Sequence, residues 1–136
     1  MAQKKDKFKL DLETAENEFD RFCENQRIDI DVDELEPDDL KAYEQHKRKI
    51  IKAIRKGLLV INDENQAVLT TDVHTFVFKQ PKGSALLAMD RAKKGEDMKS
   101  MYNLMADICQ CAPAFFSKID GVDVNVCLAI TTLFLD

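Results

Sequence analysis

Apolar positions along this 136-residue chain change their spacing at two places, and each change marks a change of element. Leu12, Ala15, Phe19 and Phe22 fall at i, i+3, i+7 and i+10, one face of an amphipathic helix whose other face is acidic. That helix is expected to end near Gln26. Ile28, Ile30 and Val32 alternate with aspartates, a composition depleted in strands, and read as extended loop with the isoleucines turned inward. Pro37 opens a second helix, because proline at the first helical position gives up only an amide that has no intrahelical partner. Its buried stripe is Leu40, Tyr43, Ile50, Ile51 and Ile54, with Lys47 at the edge, and Gly57 closes it.

From Leu58 the period becomes two. Segments 58–61, 67–71 and 73–78 predict a three-strand antiparallel meander, with the first two joined through Asn62-Asp63-Glu64-Asn65-Gln66. Pro81 stops the third strand, Ser84 caps a short helix over 85–92, and Gly95 ends it. Met98, Met101, Met105 and Ile108 then restore helical spacing up to a break at Pro113. Segment 114–119 fits one helical turn, Asp120-Gly121 is a turn, and Asp123 is placed to cap a last helix carrying Val124, Cys127, Leu128, Thr131 and Phe134. The Val, Ile and Thr content of 122–135 suits a strand equally well.

The resulting expectation is an α+β fold: a flexible tail over 1–9, then one domain over 10–136. Its parts are a helical part (10–57), a β-meander (58–79) and a second helical part (84–136). Phe76 or Phe78 should face a core shared with Leu86, Leu87 and Ile108. A chain of this length buries roughly two thirds of its unfolded surface, enough for a core without staples.

Charge adds a polarity that the net value of −5 hides. Residues 1–9 sum to +3, 11–39 to −11 and 41–56 to +6. Acidic and basic blocks pair within a chain or between chains, and pairing within the chain is the simpler expectation. The longest apolar run, 126–135, is interrupted by Thr131 and Thr132 and is well short of the ~20 residues of a membrane span. With no signal-like start, a cytoplasmic protein with reduced thiols is expected.

Candidate chemistry is sparse. His46 and His74 lack a nucleophile or carboxylate at a productive spacing, so neither reads as catalytic. Cys109-Gln110-Cys111, with Cys127, could hold a soft metal, but structural-zinc spacings are absent and core cysteine is preferred. Asp29, Asp31 and Asp33 lack the glycine and distal glutamate of a calcium loop. Pro81-Lys82-Gly83-Ser84 lacks the first glycine of a phosphate loop. No catalytic residue, cofactor or metal is assigned. The clustered methionines Met89, Met98, Met101 and Met105 suit a core, or a surface that accepts apolar helices.

Several segments together are similar to the tail assembly chaperone family of long-tailed bacteriophages. They are Phe78-Lys79-Gln80-Pro81-Lys82, the run Leu86-Leu87-Ala88-Met89-Asp90, the Lys94-Gly95-Glu96-Asp97 break, Leu104-Met105-Ala106-Asp107-Ile108, and a final Asp123…Leu128 helix ending Leu133-Phe134-Leu135. The resemblance covers roughly residues 67–136 and departs from the family at Cys111-Ala112-Pro113, where a Gly-Leu-Ser-Pro-like turn is the pattern. It implies a non-catalytic factor in the host cytoplasm that binds the tape measure protein and helps recruit tail tube protein, with homo-oligomerisation an open option. On that reading Met98, Met101, Phe115, Phe116 and Phe134 are the candidate partner-binding residues. The alternative is a small nucleic-acid-associated regulatory protein using the basic helix 41–56.

Overall fold

The computed structural model describes the backbone of residues 8–81 and 98–135, and the side chains of 8–81 and 101–134. The expected helix over 85–92, its Ser84 cap, its Gly95 stop, and Leu86, Leu87 and Met89 lie outside the described residues. Within them the α+β expectation holds, with four α-helices and one three-stranded antiparallel sheet.

Helix α1 spans Leu12–Asn25. The Asp11 side chain caps it by accepting from the Thr14 amide at 2.8 Å, and that bond holds the Asp11 carboxyl below its usual range. Ala15, Phe19 and Phe22 are buried, as the spacing requires. A 3₁₀ turn over Val32–Glu34 leads to helix α2, Pro37–Arg55, with proline at its start. Burial in α2 is concentrated near its C-terminal end, at Ile50, Ile51, Ala53 and Ile54, whereas Leu40 and Tyr43 are half-buried.

Helix α2 closes through a left-handed residue. Gly57 has φ +78°, its amide donates to the Ile54 carbonyl (3.0 Å), and the Leu58 amide donates to Ala53 (3.1 Å). Leu58 is thereby committed to the helix closure, and strand β1 begins one residue later than expected. Phe8 and Lys9, assigned from sequence to a flexible tail, are held at this same end. The amides of Lys9 and Leu10 donate to the Arg55 carbonyl at 2.6 and 3.1 Å, supplying partners to an acceptor the helix terminus leaves open.

Strands β1 (Leu59–Ile61), β2 (Ala67–Thr70) and β3 (Thr75–Phe78) pair in sequence order. The register sets Leu59 opposite Leu69 and Leu69 opposite Phe76, while Ala67 faces both Ile61 and Phe78. All six side chains point into the core, so both phenylalanines face inward. Val60, Val68 and Val77 form the outward row. Both β2 and β3 are shorter than the alternation suggests because Thr71 builds the connecting turn. Its hydroxyl accepts from the Val73 and His74 amides (3.3 and 3.0 Å) and donates to the His74 carbonyl (2.7 Å).

Helix α3 (Met98–Cys109), a 3₁₀ turn over Pro113–Ser117, and helix α4 (Gly121–Leu135) complete the fold. Segment 122–135 is therefore helix. Val124, Val126, Cys127, Ala129, Ile130, Thr131, Leu133 and Phe134 are all buried, which places apolar side chains on most faces of α4. A helix hydrophobic all round belongs in the interior, and α4 packs chiefly against α2 and also against α3. Asp123 does not cap it. The helix begins ahead of that residue, with the Asp120 carbonyl accepting from the Val124 amide at 3.0 Å.

Candidate protein-binding surface

Of the five side chains proposed from sequence, the four that are described do not form one exposed surface. Phe116 is 0% exposed and stacks on Phe76 with ring centroids 4.7 Å apart. Phe134 is 8% exposed and meets Phe22 edge-on at 5.9 Å. Both are core residues, because the aromatic excess of the C-terminal half closes the sheet and α1 rather than forming a surface. Met101 and Phe115 are half-buried, and the Met98 side chain lies outside the described residues. Phe115 stacks on His74 at 4.3 Å, and His74 in turn meets Phe76 edge-on at 4.9 Å. His74 is thus a packing residue in an aromatic row.

Exposed apolar side chains gather instead around the C-terminal half of α2. Two clefts flank it. One lies between the start of α1 and α2, has a volume of about 330 Å³, and is lined by Phe8, Leu12 and Ile51 under Lys47, Arg48, Lys52 and Arg55, with Glu44 at one end. The Arg55 guanidinium covers the Phe8 ring at 4.0 Å, and the Lys47 ammonium lies 5.5 Å from the Phe19 ring centroid. The other cleft, about 180 Å³, lies between the end of α2 and the start of α4. It is lined by Ala53, Leu58, Leu69, Val122 and Val126, with Lys49, Lys52 and Lys56 from one side and Asp123 and Asn125 from the other. Val122 is 71% exposed, an unusual placement for a branched apolar side chain in the first turn of an otherwise interior helix.

Among the described residues the acidic and basic blocks form no ion pair with each other, and the one ion pair is Arg21 with Glu18 at 2.9 Å, inside α1. The blocks thus meet without an ion pair: α1 packs against α2 and Asp11 lies close enough to Arg55 for their charges to interact, while the acidic end of α2 is held about 25 Å from its basic end.

The thiols are chemically quiet. Burial pushes Cys127 up to about 12, helped by Asp123 and Cys111. Burial and Asp20 push Cys23 to about 12, with Lys47 opposing. Cys109 is raised by burial and by its sulfur neighbours, and Cys111 by burial alone. Thiols so shifted stay protonated and serve as small apolar packers. Among the described residues no three His, Cys, Asp or Glu side chains are grouped to hold a metal ion. Among them, too, no helix is long and apolar enough to cross a membrane.

Sequence reasoning missed the polar clamp that fixes α1 to the β1–β2 hairpin. Arg21 donates to the carbonyls of Ile61 (2.9 Å) and Asn62 (3.0 Å) and to Asn65 Oδ1 (2.7 Å), while Gln26 Nε2 donates to the Asn65 carbonyl (2.8 Å). The available signal was slight: Arg21 is one of two bases among thirteen acids in 11–39. Comparison of the chain with family models, with curated proteins and with solved structures returns no match.

Proposed function

We propose that this chain is a non-catalytic tail assembly chaperone that binds the tape measure protein and assists tail tube assembly. The observation that carries the reading is the cleft at the junction of α2 and α4, where exposed Leu58 and Val122 sit beside Lys49, Lys52 and Lys56. A long amphipathic helix free in solution exposes an apolar stripe that aggregates. A shallow apolar cleft covers such a stripe, and the three lysines on its α2 side, opposite Asp123, pair with carboxylates that flank it without locking it in place. The resemblance of 67–136 to the family supplies the identity of the client.

Co-expression with the tape measure protein tests the reading. The wild-type chain should keep that protein soluble, and Leu58→Asp combined with Val122→Asp should abolish the effect while circular dichroism stays unchanged. Undiminished rescue by the double variant would exclude this cleft as the client surface.

A second reading draws on the same helix. Among the described residues Lys41, Arg48, Lys49 and Lys52 of α2 and Lys56 at its C-cap form no ion pair, as the phosphate-binding surface of a nucleic-acid-associated regulator would. Duplex DNA affinity that falls steeply with salt, and that is lost on replacing Lys49, Lys52 and Lys56 by Gln, would favour it over the chaperone.

A further inference from the structure

We infer that the cleft between the start of α1 and α2, floored by Phe8, Leu12 and Ile51, docks an acidic amphipathic helix of another protein.

The cleft offers such a helix a match for both of its faces. Phe8 and Leu12, 39% and 51% exposed, stand together over the buried Ile51, so the floor is a joined apolar patch rather than scattered single side chains. The walls carry Lys47, Arg48, Lys52 and Arg55 against Glu44. Two of these bases are already engaged. The Arg55 guanidinium covers the Phe8 ring, its Nε donates to the Leu10 carbonyl at 3.3 Å, and Asp11 is its charge neighbour, while the Lys47 ammonium lies over Phe19. Arg48 and Lys52 remain, both exposed and one helical turn apart, and among the described residues neither forms an ion pair. With Glu44 and Asp11 both counted, the cleft still holds an excess of positive charge, and the charge that complements it is negative.

Shape narrows the occupant. The walls come from α1, the turn before it and α2, with no strand of the sheet among them, so an extended peptide finds no edge to pair with, whereas the apolar stripe of a helix can lie along the groove between two helices. Nucleic acid fits less well, because Arg55 already covers the Phe8 ring on which a base would stack. A broad anionic membrane surface would also meet Asp11 and Glu13, exposed on either side of Leu12, whereas a single helix keeps its carboxylates on the α2 side, by Arg48 and Lys52.

This cleft and the one at Leu58 and Val122 share Lys52 alone, so docking here stands or falls apart from the chaperone reading: Leu12 and Arg48 probe one cleft and Leu58 the other.

Fluorescence anisotropy with the full chain tests it, using three labelled helical peptides that share one leucine face and carry Glu, Gln or Lys along its flanks. The Glu peptide should bind with a dissociation constant of about 10 to 100 μM that rises with ionic strength, and the Gln and Lys peptides should bind about tenfold more weakly or less. Leu12→Asp and Arg48→Glu, both at exposed positions, should each weaken the Glu peptide about tenfold with circular dichroism unchanged, and Leu58→Asp should have no effect. Arg48→Gln, which leaves the floor untouched, should act in the same direction even where Leu12→Asp disturbs the fold. No binding of the Glu peptide at about 1 mM, or equal binding of all three peptides, overturns the inference. Binding lost in Leu58→Asp but kept in Leu12→Asp and Arg48→Glu overturns it by assigning the peptide to the other cleft. Tighter binding to phosphatidylserine vesicles or to DNA than to the Glu peptide, lost in Arg48→Glu, overturns it in favour of a lipid or nucleic-acid surface.

Discussion

Replacing Arg21 by alanine should uncouple the β1–β2 hairpin from α1, and the cost follows from the bonds the guanidinium makes. Its three bonds to Ile61, Asn62 and Asn65 join segments about 40 residues apart in sequence, so no neighbour along the helix can substitute. Each is worth about 1 kcal/mol net, somewhat more with a charged donor. The Arg21 side chain is 35% exposed, so water screens the site and rehydrates the freed carbonyls, which brings the sum to about 2 kcal/mol. With an unfolding entropy near 2.1 cal/mol/K per residue, that is a fall in Tm of about 7 °C for a chain of 136 residues. Arg21→Lys should recover about 1 kcal/mol, since a single ammonium cannot reach three acceptors in fork geometry. Glu18→Ala removes only the pair within α1 and should cost under about 0.5 kcal/mol. Urea denaturation gives the stabilities, and amide exchange reads the hairpin directly. The Glu64 and Gln66 amides donate to Asn62 Oδ1, and they should exchange faster in Arg21→Ala while the amides of α2 do not. Equal losses from Arg21→Ala and Glu18→Ala, or unchanged exchange at 64 and 66, would refute the clamp.

Phe76→Ala should cost about 3 to 5 kcal/mol by urea denaturation, since the ring is fully buried and stacked on Phe116, whereas Val60→Ala on the outward row should stay within about 0.5. Thr131→Val should stabilise the chain by about 1 kcal/mol, because the Thr131 hydroxyl is buried without a hydrogen-bond partner and valine keeps its shape; a lower Tm would show that the hydroxyl is satisfied. Gln110→Gly should raise Tm by about 2 to 4 °C, relieving a non-glycine residue at φ +54° at an exposed helix closure. For Cys23 and Cys127 the folded thiol stays protonated up to about 12 while the unfolded thiol ionises near 9.0, so the unfolded state binds fewer protons in between. The contribution of these two thiols should therefore be constant below about pH 8 and fall from about pH 9 toward 12, and replacing both by Ala should make that part of the urea-midpoint profile shallower, the remaining slope including Cys109 and Cys111, which burial also raises.

Local patterning in the sequence determined α1, α2 and the meander, because their signals are carried by neighbours along the chain. The spacing of Ala15, Phe19 and Phe22, proline at the start of α2, Gly57 at its end and the alternation in β3 each act within a few residues. Helix closure was legible where glycine announced it. At Arg27 (φ 59°) and Gln110 (φ 54°) the same left-handed turn is imposed on residues that do not favour it, and the sequence holds no sign of it. Tertiary structure alone decided the state of 121–135. Its Val, Ile and Thr residues are neutral to poor helix formers, and an interior position that buries side chains on most faces outweighs that local preference. The surface was decided at the same level. Phe116 and Phe134 look like ligand-binding aromatics when read along the chain, yet Phe76 and Phe22 consume them, while the clefts beside α2 join residues as distant as Leu12 with Ile51 and Leu58 with Val122. Sequence spacing reports which side chains share a face. Which faces remain open depends on how the elements pack, and that is set by contacts between residues far apart in the chain.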